Sequence, residues 1–174
     1  MVYFISDTHF GHRNIIRYSN RPYETVGEMD GDLIKNWNDT ISPNDVVYHL
    51  GDFCLRGVDY TQNVVNQLNG TKKILLGNHD RTSVTFWKRM GFDEVFKEPV
   101  VRDNYILSHE PIDNPDRLNI HGHTHTLKAQ SIMHIPVCVE MIGYKPISID
   151  DLMVIHTVLI SNRKNWKTFY RLSE

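Results

Sequence analysis

Apolar positions along the 174 residues follow two different periods, and the period changes mark the elements. Val2 to Ile5 is a short β-rich run that ends in the polar stretch "SDTHFGH". From Thr25 to Thr40, Val26, Met29, Leu33 and Trp37 recur at helical spacing. Gly31 weakens that helix without forbidding it. "SPND" breaks the chain before "VVYHL", a second buried strand. After "GDFCLRG", Val64, Val65 and Leu68 predict a helix that stops at Asn69-Gly70. "KKILL" is a third strand and runs straight into "GNHD", and Phe86, Trp87 and Met90 predict a short helix ended by Gly91.

The second half is richer in strand signals: "DEVF", "PVVRD", "YILSH", "RLNIHGH", "SIMHI" and "VCVEM". Ser148 before "IDDLMVIHTVLI" reads as the N-cap of a closing helix, since acidic residues favour a first turn. The dense β-branched residues there keep a strand in competition. Strand–helix alternation followed by strands predicts an α/β layer sandwich with a mixed core sheet. Such sheets collect ligands at the carboxyl ends of their strands. The polar clusters "SDTH", "LGDF", "LGNHD" and "SHEP" each follow an apolar strand, which points to one site rather than scattered loops.

Neither a repeat nor a linker divides the chain, so residues 1–174 are expected to form a single domain without a cap domain. A chain of this size buries roughly 70% of its unfolded surface and needs no staples. The net charge of −2 argues against broad non-specific nucleic-acid binding, while leaving room for a local basic patch. Cys54 and Cys138 lie far apart without metal spacing, and read as reduced, half-buried thiols of a cytoplasmic protein. The start of the chain lacks the charged and apolar regions of a signal peptide. No apolar run approaches roughly 18 residues, so no membrane span is expected.

What stands out is ten histidines, three of them in "NIHGHTHT". Asp7 and His9 are one residue apart, so an extended chain would point both the same way, and likewise His123 and His125. Asp52, Asn78 and His109 each arrive alone at a strand end. These carboxylates, imidazoles and one amide oxygen exceed what a single tetrahedral zinc needs, and suit two metals that share a ligand. A carboxylate is the natural bridge, and composition leaves Asp7 and Asp52 equally eligible. Two such ions would activate a water against phosphorus and clamp phosphate oxygens. Singly, "DxH" or "GD" is commonplace, "GNHD" fits a glycine turn with an Asx cap, and "HGHTH" fits a polar edge strand. Five clusters at strand ends in one short chain are not explained that way.

In order, "DTH", "GD", "GNHD", the histidine of "SHEP" and "GHTH" resemble the calcineurin-like metallophosphoesterases, over residues 7 to 125. The resemblance implies a four-layer α/β/β/α sandwich of mixed sheets, of the small single-domain type. It implies that Asp7, His9 and His125 hold one divalent metal, that Asn78, His109 and His123 hold the other, and that Asp52 bridges them. His79 would touch phosphate or the leaving oxygen; we read it as a general acid, with Asp80 as its orienting partner. The expected reaction is hydrolysis of phosphate esters, favouring nucleotide-like phosphodiesters, by a metal-bridging hydroxide. A phosphomonoesterase and a non-catalytic metal-binding scaffold are the alternatives. Mn²⁺ is the expected metal, and the ligand set also suits Fe²⁺, Co²⁺, Ni²⁺ and Zn²⁺.

"GDFCLRG" resembles the "GDxVDRG" stretch of the Ser/Thr phosphatase branch and places Arg56 where an arginine grips phosphate, although Leu55 replaces an aspartate of that pattern. A solvated surface arginine is the competing reading. His12 lies three residues past His9, close enough to contact substrate or to bond its own loop. Arg13, Arg17 and Arg21, with the tail "NRKNWKTFYR", would give a nucleic-acid track if they converged; a charged face is the default for Arg17 and Arg21. His49 reads as a buried support for the ligands and His121 as another, with His134 and His156 as ordinary strand or helix residues.

Overall fold

The computed structural model describes residues 1–80, 82–125 and 131–161. Strands β1 (Val2–Ile5), β2 (Val46–His49) and β3 (Thr71–Leu75) pair in parallel, with β4 (Glu94–Phe96) parallel beyond β3. β9 (Ile147–Ser148) joins the other edge antiparallel, giving the order β4-β3-β2-β1-β9. The second sheet runs β5 (Val100–Val101), β6 (Tyr105–Ser108), β7 (Leu118–His121) and β8 (His134–Pro136), parallel except for β5. The expected α/β sandwich of mixed sheets is therefore present.

Two cores arise because successive strand residues face opposite ways. Ile5, Val47 and Ile74 pack outward with helices α1 (Arg13–Tyr18), α2 (Val26–Thr40), α3 (Val58–Gln67) and α4 (Val84–Arg89), through Ile15, Met29, Leu33, Trp37, Val64 and Trp87. Phe4, Tyr48 and Leu75 pack inward against Leu107, Ile120 and Ile135 of the second sheet. α2 follows its sequence signal closely: the Thr25 side chain accepts from Glu28 N at 3.1 Å, and Met29, Leu33 and Trp37 are buried. The closing segment is helix α5 (Ile149–Ser161), begun by Ser148 Oγ accepting from Asp151 N, with Leu152 in the inter-sheet core. Helix therefore wins over strand despite the β-branched residues.

One strand expectation fails. "VCVEM" makes an isolated bridge, Ser6 to Cys138, and then turns. The chain crosses between sheets there: Val137 N donates to His121 O of β7, while Ser6 N of the first sheet donates to Val137 O. A segment that changes sheets cannot continue a ladder in either. Among the described residues, no helix is long and apolar enough to cross a membrane.

Candidate metal centre

Parallel β1, β2 and β3 deliver Asp7, Asp52 and Asn78 from their carboxyl ends, and β6 and β7 deliver His109 and His123 from theirs. The first two loops stay paired past the strands, with Asp7 N bonded to Gly51 O and His9 N to Asp52 O. The expectation that extended backbone aligns the ligand pairs is corrected here. Asp7, His9, Asp52, His123 and His125 all have φ between 48° and 70°, the left-handed region that side chains seldom adopt. Each such residue costs on the order of 1–3 kcal/mol, which the surrounding bonds must offset. Glycines make room for the turns: a Cβ on Gly122 would lie 2.6 Å from Asp7 Oδ2, and one on Gly77 would collide with Asp52 Oδ1.

Two groups of donor atoms result. His125 Nε2 lies 3.5 Å and His9 Nε2 3.9 Å from Asp7 Oδ1. Across the site, Asn78 Oδ1 is 2.8 Å from His109 Nε2 and 3.0 Å from His123 Nδ1, with those nitrogens 3.2 Å apart. Ligand atoms that share one ion at about 2.1 Å lie roughly 3–3.4 Å apart, so both groups are close to coordination spacing. Asp52 Oδ2 sits between them, 3.7 Å from His9 Nε2 and 3.6 Å from His109 Nε2, while its Oδ1 accepts from His79 N. Asp7 also clusters with both sides, grouping with His9 and His125 and with Asp52 and His109. Its Oδ2, however, is engaged by His123 N at 2.9 Å.

The electrostatics fit cations. Asp7 and Asp52 are buried together, and burial first, with Asp7 adding to it, pushes the Asp52 carboxyl above its ordinary range. Among the described residues, Asp7 Oδ1 and both His9 ring nitrogens are buried without hydrogen-bond partners. Burial holds the His9 imidazole far below its usual pKa, so it offers a lone pair. His109 Nδ1 is 2.8 Å from Leu50 O; donating there turns its Nε2 lone pair to the site. Buried anions and orphaned lone pairs at this spacing are what two divalent ions would satisfy.

The other expected residues separate. His79 is open to solvent beside the centre, its Nε2 3.9 Å from Asp52 Oδ2 and its ring 5.7 Å from His9. Asp80 does not orient that ring; among the described residues no hydrogen bond joins them. Its carboxylate instead accepts from Asp52 N (2.6 Å), Gly77 N (2.9 Å) and Phe53 N (3.1 Å), stapling the β3 loop to the β2 loop. Burial raises its pKa to about 6. The His12 ring lies 5.5 Å from His9, and the exposed Arg56 stacks over Tyr60 with its stem against Gly11. His49 is buried, 3.0 Å from Thr8 Oγ1, and His121 is buried with Nδ1 2.8 Å from Gly122 O.

Arg13 and Arg17 are exposed on α1, as a charged face predicts, but Arg21 is not. It is buried and bonded to Glu140, to the carbonyls of Asp7 and Thr8 and to Met29 Sδ, so it cannot join a surface track. The tail "NRKNWKTFYR" lies outside the described residues. Glu140 escaped the sequence reading altogether, although a carboxylate inside the apolar "VCVEM" is itself a sign of a buried, paired charge.

Residues 1–155 match the calcineurin-like phosphoesterase family. An uncharacterised protein of Methanocaldococcus jannaschii is 39% identical over 166 residues, covering 86% of this chain and 87% of that one. The gene 66 protein of Mycobacterium phage L5 is 26% identical, covering 72% and 77%. Among solved structures, an Aquifex aeolicus protein of unknown function superposes with a TM-score of 0.73 at 27% identity, over 89% of this chain and 98% of that one. The Pseudomonas putida nuclease MPE shares the fold at a TM-score of 0.50 and 19% identity, over 71% and 60%. Ligand geometry, strand-end placement and this match agree: the chain belongs to the calcineurin-like phosphoesterases, metal-dependent hydrolases of phosphoric esters.

Proposed function

We propose that this chain hydrolyses phosphodiesters of nucleotide type with two Mn²⁺ ions, in a reducing, cytoplasmic setting that suits its two unpaired cysteines. The observation that carries the reading is the pair of donor groups with Asp52 Oδ2 between them and His79 on the open side. Asp7, His9 and His125 would hold one ion, and Asn78, His109 and His123 the other, with Asp52 serving both. When bound, the ions supply Lewis acidity and an activated water. His79 then protonates the leaving oxygen, within reach because its backbone is held by Asp52 Oδ1. Asp80 keeps the "GNHD" turn and the Asp52 loop in register. Arg56 and His12 bind the phosphate or its substituent from the rim.

Room beside the centre favours a diester. A cleft of about 400 Å³ beside Asn78 and His109 is walled by Leu76, Pro99, Pro111 and Ile112, with Lys97 at hand. The test is hydrolysis of bis-p-nitrophenyl phosphate beside p-nitrophenyl phosphate, with Mn²⁺ restored after chelation. Faster diester cleavage is expected. Preference for the monoester would make the chain a phosphomonoesterase, and no turnover of either with two ions bound would favour a scaffold.

A further inference from the structure

Behind the first donor group lies a charged pair that touches no expected substrate. The Arg21 side chain is fully buried and that of Glu140 is 9% exposed. Arg21 Nε donates to Glu140 Oε1 at 2.8 Å, and its terminal nitrogens donate to Asp7 O at 2.7 Å and Thr8 O at 2.9 Å. The same Glu140 Oε1 lies 3.0 Å from His125 Nδ1. A carboxylate only accepts, so Nδ1 carries the proton and His125 Nε2 turns its lone pair towards Asp7 Oδ1. One guanidinium therefore holds both halves of the first group: the left-handed Asp7–His9 turn through its carbonyls, and His125 through Glu140. Its charge also offsets that of Glu140, so His125 is oriented without adding a net anion beside the metals. In the second group, His109 is set instead by the Leu50 carbonyl.

We propose that Arg21 and Glu140 are positioning residues for the first metal alone, a buried clamp whose loss empties that site and leaves the Asn78–His109–His123 site loaded. The proposal rests on the two-metal reading above. It is tested by titrating chelated protein with Mn²⁺, following stoichiometry calorimetrically and ion pairing by electron paramagnetic resonance. Three chains are compared: wild type, Glu140→Gln, and Arg21→Met with Glu140→Leu. The double variant removes both charges together, so it leaves no buried ion unpaired and guards against simple unfolding.

Wild type is expected to bind two ions with the spectrum of a coupled pair. Both variants should keep one ion at wild-type affinity, bind the other about 10–100-fold more weakly, and show an uncoupled ion at limiting Mn²⁺. Two ions at wild-type affinity in the variants would overturn the clamp alone. Parallel weakening of both sites with a falling melting temperature would also overturn it, since a merely structural role predicts that. Fewer than two ions in wild type would overturn the two-metal reading and the clamp with it.

Discussion

At the scale of single residues, the site is governed by where lone pairs point. Asp52 offers one oxygen to two imidazoles and the other to His79 N, so its amide counterpart would present an N–H to one of these partners. Asp52→Asn is expected to abolish turnover and loosen both ions; near-normal activity with unchanged metal content would remove Asp52 from the bridge. His79 is different, since its side chain is exposed and lies beside the candidate ligands without completing either group. His79→Ala should retain both ions yet lose about 10²–10⁴-fold in rate. The loss should be smallest for leaving groups that need no proton, and metal loss instead would refute the assignment. The candidate ligands were legible because ordered motifs carry them. Their left-handed backbone was not, since no local pattern in "DTH" or "HTH" distinguishes a turn from a strand.

At the scale of elements, local signals succeeded where one element satisfies itself. α2 is such a case: its Thr25 cap, its apolar stripe and its break at "SPND" all lie within about twenty residues. Thr25→Ala should cost about 1 kcal/mol in urea denaturation and leave activity per bound metal unchanged. A shift much larger than this would mean that Thr25 does more than cap. "VCVEM" is the opposite case. Its apolar residues suit a strand, but pairing with both β7 and Ser6 makes it a crossing, and that decision belongs to two other segments.

Over the whole molecule, the buried histidines couple stability to pH. Burial pushes the His121 imidazole down to about 4 and that of His49 to about 3. Below an unfolded value of about 6.5 the unfolded chain takes up these protons first, so the metal-free protein should lose stability as pH falls. For His121 that loss completes near pH 4 and amounts to about 3 kcal/mol. Urea midpoints of chelated wild type and His121→Gln at pH 7.5 and 5 check this, and the variant should lose less. Equal losses would show that His121 is not a source of the slope.

The sequence alone determined the strand–helix order of the first half, the placing of polar clusters after strands, and which residue types those clusters offer as candidate donors. Those features are local: a periodicity, a cap, or a motif within a few residues. Tertiary structure alone decided that Asp80 serves the backbone rather than His79, and that Arg21 is buried against Glu140. Each of these depends on which distant segment supplies the hydrogen-bond partner: Arg21 and Glu140 are 119 residues apart. A buried charge is set by its partner, and the chain names that partner only once it has folded.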